Sequence, residues 1–549
     1  MSVVNIANRL RHMALAYPDK PAVVRYRGNE EVVERHTFSD LERDSDAAAR
    51  GMLACGIGRG TRTLVMLRPS LPFFSCFFAL FKVGAVPVFI DPGMGGKRLL
   101  ECVRVLAPQA MVGVPLAHMV RVLRPKYFPG FRTAVTDGPR LFWGGRSWKK
   151  FREFEATPFP IAATTDDEMA AILFTTGSTG PAKGVEYSHG ALDSQVEILS
   201  EAFSITPDDK DAATFPGFSL FSIALGMTAV IPDMNPVRPG SVNPPNVLDL
   251  IRREGCTFSF GSPALWGRVS EYAEKNGVTL PTLTRVIMAG APVPAAVHRR
   301  LLGGILPEAA ETFTPYGATE CMPVACIGGS EVLAETAALT EAGRGVCVGR
   351  AAADVRVEII AITDSPVPRW DDGLMLPDGQ IGEIAVRSDH ASRHYHNLPQ
   401  ADALAKIADG DAFWHRMGDV GYRDDRGRIW FCGRKAHRVK TKAGDLFTVC
   451  CEAIFNRHGA VARSALVGVP GGDGFERPVI VVELKRDRAG DDKVRLTAEL
   501  LALGRNEAMT AGIDDILFHP AFPTDIRHNA KIRREDLAAW AEEELARRA

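Results

Sequence analysis

The sequence predicts an α/β fold in two unequal parts, and three observations carry that prediction. Apolar residues alternate between helical and strand spacing through most of the chain. Turns bearing Pro and Gly recur throughout, with no repeat period and no low-complexity tract. The residues after about 433 change character, with a basic cluster followed by short strands and a closing helix.

Taken in order, residues 40–55 (DLERDSDAAARGMLAC) have helical spacing, and residues 62–67 (RTLVML) read as a buried strand. Residues 72–82 (PFFSCFFALFK) read as a helix and residues 85–91 (AVPVFID) as another strand. Such alternation argues for βαβ units and parallel sheet. Phe74, Phe77, Phe78 and Phe81 fall at helical spacing, which suits core packing better than a lipid-binding stripe. Beyond Arg426 come a basic cluster, then ARSALVGVPG, RPVIVVELK and a helix from Arg534. The expected division is a large unit over residues 1–432 and a smaller α+β unit over 433–549.

The 549 residues carry 65 Lys and Arg against 66 Asp and Glu, a formal net charge of -1, with 46% hydrophobic and 24% charged residues. That excludes disorder as the dominant state. It also gives no general attraction to nucleic acid or an anionic membrane, so any such site must be a local patch. Ten cysteines without a CxxC pair suit buried thiols in a reducing compartment, hence a cytoplasmic protein. The opening residues lack a secretory pattern, and the most apolar run, residues 71–81, is too short to span a bilayer. No nucleic-acid partner and no transmembrane segment are expected.

Chemistry concentrates in AILFTTGSTGPAKGVEYSHGAL, from Ala171. A buried strand runs into a loop holding Gly177, Gly180 and Gly184, the hydroxyls of Thr175, Thr176, Ser178 and Thr179, and the cation Lys183. Glycine-freed N–H groups, hydroxyl donors and a lysine together make a phosphate cradle. It is not a Walker A loop, because Ala182 stands where glycine is needed and Gly184 where Ser or Thr would hold magnesium. A flexible surface loop would not need this density of donors directly after a buried strand.

TTGSTGPAKG resembles the phosphate loop of the adenylate-forming enzymes, the superfamily of acyl-CoA synthetases, firefly-type luciferases and peptide-synthetase adenylation domains. Four further strings follow in that family's order: AGAPV from Ala289, YGATE from Tyr316, MGD ending at Asp419 with GRKAHRVK from Gly433, and NAKIRREDL from Asn529. With TFSDL, GIGRG and VGAVPV before residue 90, the resemblance covers nearly the whole chain. It implies a large N-terminal domain of packed sheets and helices and a small mobile α+β C-terminal domain, with the site at their junction.

The resemblance also implies roles. ATP and magnesium are the expected cofactors, with Glu320 as the magnesium ligand and Thr175 a second oxygen ligand. Gly290, Ala291 and Pro292 would lie against one face of adenine, Tyr316 and Gly317 would line it, and Thr319 would reach the α-phosphate. Asp419 would accept the ribose hydroxyls with Arg434 assisting, and Lys531 would place a cation on charge developing between carboxylate and α-phosphate. Glu320 and Lys531 are thus the candidate catalytic residues.

The sequence departs from the family at three places: His437 at the hinge, Ser219 where histidine is common, and HNAK before the mobile lysine. A histidine at a hinge can change charge between about pH 5 and 8, or simply fit the turn. Together with IDPGMG from Ile90 and PGFSLFSIALGMT from Pro216, these strings are similar to the β-lactone synthetases of bacterial long-chain olefin biosynthesis. The implied reaction is ATP-dependent activation of a long-chain 2-alkyl-3-hydroxy fatty acid as acyl-AMP, then closure to a β-lactone. An AMP-forming long-chain acyl-CoA synthetase is the rival. A silent nucleotide-binding module is disfavoured by the presence of Glu320, Asp419 and Lys531, and a scaffold by the lack of any tail, coiled coil or repeat. Phe218, Phe221 and Met227 are candidate tunnel residues by position, and other enzymes of the same pathway are candidate partners.

Overall fold

The computed structural model describes residues 4–174, 182–524 and 532–548. Helix Phe38–Ala54 starts at a capping box: Thr37 Oγ1 accepts from the Asp40 N–H, and the Asp40 carboxylate accepts from the Thr37 N–H. The phenylalanine-rich helix Leu71–Lys82 is buried on nearly every side, so its aromatic stripe is core. Its last residue, Lys82, is wholly buried. The ammonium lies 2.6 Å from Asp46, 2.8 Å from Glu42 and 2.8 Å from Ser45 Oγ, and Arg11 joins both carboxylates. Two cations and two carboxylates thus tie three helices together.

One sheet has seven strands, in the order Arg146–Ser147, Thr133–Thr136, Ala110–Gly113, Arg62–Met66, Val86–Ile90, Met169–Phe174, Gly184–Ser188. The first six are parallel, as the βαβ pattern predicts, so their carboxyl ends share one rim. The last strand returns antiparallel from Met169–Phe174. Strand Met169–Phe174 therefore ends at that rim, where ligands gather in open α/β sheets.

A longer sheet has fourteen strands and changes type part-way. Strands from Pro21–Arg27 to Glu311–Ala318 pair in parallel, apart from the edge strand Glu31–Thr37. Beyond Glu311–Ala318 every pairing is antiparallel, through Cys321–Gly328, Val346–Ala351, Ile429–Arg434, Ala412–Arg423, Gly382–Arg387 and Arg356–Ile360. The parallel expectation holds for the first part of this sheet and fails beyond Glu311–Ala318.

The smaller C-terminal part is α+β. Strands Val461–Pro470, Glu476–Leu484 and Asp515–Phe518 form a three-stranded sheet packed by helices Thr448–Asn456, Lys493–Arg505 and Arg534–Arg548. All ten cysteines are free thiols.

Lys82→Met leaves the buried Asp46 and the partly buried Glu42 with Arg11 alone. Breaking a buried ion network this way costs about 3–5 kcal/mol. The expected result is a lower urea midpoint at unchanged slope, and an unchanged midpoint would show that the network contributes nothing.

Candidate active site

The hairpin Met169–Phe174/Gly184–Ser188 positions the start of the site. On its free side, the Glu186 N–H donates to the His394 carbonyl at 3.1 Å, and the His396 N–H to the Gly184 carbonyl at 2.8 Å. This third segment brings Tyr395 opposite Val185. The Tyr395 hydroxyl donates to Glu320 Oε1 at 2.6 Å. Two ammonium groups face the same ring, Lys183 at 4.7 Å and Lys406 at 5.5 Å from its centroid. Lys406 also donates to the Ser392 carbonyl. Burial pushes its pKa down to about 8, with Glu320 opposing that shift.

Glu320 sits in the turn between strands Glu311–Ala318 and Cys321–Gly328. That turn is clamped from both sides: the Tyr187 hydroxyl donates to the Thr319 carbonyl, and the Ser392 N–H donates to the Glu320 carbonyl at 2.8 Å. At Gly317 a Cβ would come within 2.6 Å of the Cys321 carbonyl oxygen, so the close approach of the two strands requires glycine.

Asp419 and Arg434 stand opposite each other across an antiparallel strand pair. The guanidinium lies 2.9 Å from Asp419 Oδ1, and the Tyr316 hydroxyl donates to Oδ2 at 2.7 Å. Burial pushes the pKa of Asp419 up, against the lowering effect of Arg434 and Tyr316. Oδ1 is buried and accepts no hydrogen bond among the described residues. Oδ1 thus meets the Arg434 guanidinium as an ion pair and keeps lone-pair capacity for a hydroxyl donor.

Gly290 follows strand Arg285–Met288 at φ +94°, a conformation that residues with a Cβ rarely adopt, and Ala291 and Pro292 continue that loop. Ser219 is buried on helix Pro216–Ala224, its hydroxyl directed at the Phe215 carbonyl. Phe218 stacks on Phe260 at 4.2 Å, Phe218 and Met227 are packed into the core, and Phe221 is half-buried. Of the expected site residues, Thr175, Thr176, Gly177, Ser178, Thr179, Gly180 and Lys531 lie outside the described residues. The structure brings Lys183, Tyr316, Gly317, Thr319, Glu320, Asp419 and Arg434 into one neighbourhood. Sequence reasoning missed Tyr395 and Lys406, whose only signal was an aromatic and a cation flanking no motif.

His437 bears on the two readings left open for the hinge. It lies in the short turn Lys435–His437, with Nε2 3.5 Å from Glu535 at the start of the closing helix. Burial first, then Arg534, pushes its pKa down to about 4. That direction favours the neutral ring, and with it the reading in which the histidine fits the turn.

The sequence matches the family described as AMP-binding enzyme over residues 10–396. The chain belongs to the AMP-binding enzyme family. Among relatives of this AMP-binding enzyme, the olefin beta-lactone synthetase of Stenotrophomonas maltophilia is 47% identical, covering 99% of each chain. That of Xanthomonas campestris pv. campestris is 46% identical over 92% of this chain and 90% of its own. The amide bond synthetase McbA from Marinactinospora thermotolerans shares the fold at TM-score 0.78 and 22% identity, over 98% of this chain and 99% of its own. The anthranilate CoA ligase AuaEII, solved with anthranoyl-AMP, does so at 0.78 and 18% identity, over 100% and 99%. The chain is thus a ligase-type enzyme of the adenylate-forming fold, and no described helix is long and apolar enough to cross a membrane.

The neutrality of His437 has a measurable consequence. Between pH 5 and 8 the profiles of acid-dependent pyrophosphate exchange for wild type and His437→Asp should run parallel. A step in the wild type alone would place a histidine charge change in that window.

Proposed function

We propose that this enzyme activates a long-chain 2-alkyl-3-hydroxy fatty acid with ATP as an acyl-AMP and then closes it to a β-lactone, releasing AMP and pyrophosphate. Two nearly full-length relatives carrying the beta-lactone synthetase name support the reaction class. The observation that carries the nucleotide reading is Asp419 Oδ1, a buried acceptor that a ribose hydroxyl would satisfy.

The remaining roles follow from chemistry. Tyr316, Gly317 and the loop Gly290, Ala291, Pro292 would flank adenine. Thr319 would reach the α-phosphate, and Thr176, Gly177, Ser178, Thr179, Gly180 and Lys183 would cradle the phosphates. Magnesium fits the donor set: no cluster of three or more His, Cys, Asp or Glu side chains is present among the described residues, and magnesium binds through one or two carboxylates plus substrate phosphates. Glu320, oriented by Tyr395, and Thr175 would hold it, and when bound it offsets phosphate charge. Lys183 and Lys406 add cations beside that position. The substrate carboxylate attacks the α-phosphorus in line while Lys531 stabilises charge developing at the junction.

In the second step the 3-hydroxyl loses its proton, its oxygen bonds to the acyl carbonyl carbon, and AMP leaves. Well-oriented intramolecular attack carries an effective molarity on the order of 10⁵ M, which offsets the strain of a four-membered ring. We place the large unit at residues 1–432 and the small mobile unit at 433–549, with the hinge at the turn after Arg434. Free thiols throughout support a cytoplasmic setting, and enzymes of the same pathway are the expected partners.

Two tests follow. Lys531→Ala should lose acid-dependent pyrophosphate exchange by roughly a hundred- to thousandfold with little change in ATP affinity, and wild-type exchange would remove the lysine from the mechanism. The second test is the product: a long 3-hydroxy acid with ATP and magnesium, without CoA, should give β-lactone and AMP by mass spectrometry. Acyl-CoA as the sole product when CoA is added would make the enzyme an acyl-CoA synthetase instead.

A further inference from the structure

Helix Pro115–Leu123 presents its apolar residues outward. His118 anchors the inner face, with its ring 2.9 Å from the Val135 carbonyl. On the outer face Leu116 and Leu123 are 63% and 65% exposed, and Met119 between them is 39% exposed. A helix at a sheet edge ordinarily turns polar residues to water. Beside it lies the loop after strand Thr133–Thr136, whose Leu141 and Phe142 are 60% and 74% exposed. The two segments are joined: Trp143 stacks on His118 at 6.0 Å, and its carbonyl accepts from Arg121 at 3.3 Å. The apolar side chains therefore belong to one surface.

The charge of the segment that carries that surface is one-sided. Residues 115–150 hold eight Lys and Arg against a single carboxylate, Asp137, in a chain whose net charge is -1. Arg124, Lys126, Arg132 and Arg140 are exposed, and no ion pair ties them to a carboxylate among the described residues. Exposed apolar patches mark protein or membrane contacts. Protein interfaces are depleted of lysine and of charge at their cores, though they accept arginine, so the discriminating feature here is the excess of cations over carboxylates in this segment. Apolar side chains on a helix and a loop tip, ringed by unpaired cations, match instead the boundary between anionic headgroups and acyl chains.

We propose that this surface docks the enzyme on an anionic lipid bilayer, inserting Leu116, Leu123, Leu141 and Phe142 between headgroups while the surrounding cations face the phosphates. The loop of Leu141 and Phe142 begins at the carboxyl rim of the seven-stranded sheet, the rim at which strand Met169–Phe174 also ends. Docking would bring that rim toward the layer in which a long apolar acid dissolves. The inference rests on the surface alone and stands whichever acid is the substrate.

The test is flotation of the full chain with vesicles of phosphatidylcholine, with and without phosphatidylglycerol, at about 0.1 M and about 1 M salt. The expected result is binding to the anionic vesicles only, weakened at the higher salt. Leu123→Ser with Phe142→Ser, and separately Arg124→Glu with Lys126→Glu, should each weaken binding by roughly tenfold or more. Both pairs are exposed, so thermal midpoints and pyrophosphate exchange should stay at wild-type values. Failure of the wild type to bind anionic vesicles, or undiminished binding by both variants, overturns the proposal. So does a wild-type dimer in vesicle-free solution that either variant dissolves, which would make the surface a protein interface.

Discussion

The pairing of Asp419 with Arg434 is the contact on which the site and the two-part architecture both depend. Their strands are antiparallel, so the register that aligns Ala412–Arg423 with Ile429–Arg434 also fixes the carboxylate against the guanidinium. One residue later the chain enters the turn that leads to the C-terminal part. Lys435 in that turn lies 3.0 Å from Glu383, a buried carboxylate that also holds Arg416 at 2.6 Å. Buried charges are tolerated only when paired and hydrogen-bonded, so this strand has little freedom to slip. A slip of one residue would turn Asp419 to the opposite face and lose Tyr316 and Arg434 together.

Because of that constraint, groups far apart in sequence meet at fixed distances. Glu320 comes from a hairpin turn, Tyr395 from a segment bridged to the phosphate hairpin, and Lys406 from the strand that follows it. Arg434 feels Asp419, Tyr316 and Glu320 at once, and these neighbours push its pKa up. The neighbourhood is therefore one electrostatic unit, and a change at any member alters the charge balance of the others.

Much of this was legible in the sequence, for local reasons. The phosphate hairpin announces itself by glycine and hydroxyl density after a buried strand, and the phenylalanine helix by its spacing. Asp419 and Glu320 were legible only as members of ordered strings. Tyr395 and Lys406 were not, because their positions come from a bridge between residues 394–396 and the strand Gly184–Ser188. No local pattern encodes a pairing across some two hundred residues. The antiparallel half of the long sheet was missed because its connections contain few helices to set a period. For His437 the sequence left two readings open, and desolvation and Arg534, a residue of the closing helix, favour the neutral ring.

The site must serve two steps with opposite demands in the proposed reaction. Adenylation brings phosphate charge against Lys183 and Lys406, which share the face of Tyr395. Burial pushes the pKa of Lys406 down to about 8, and Glu320 supplies the largest opposing effect. Incoming phosphates would act in the same direction as Glu320, so the ammonium is best supported while the triphosphate is present. When pyrophosphate departs, that support departs with it, and the attraction retaining leaving anions weakens as the acyl adenylate becomes ready to close. A fully solvated lysine, charged at all times, would hold product and reactant alike, which lowers KM without raising kcat. Burial of Lys406 thus makes its charge depend more on neighbouring anions than a solvated lysine's would.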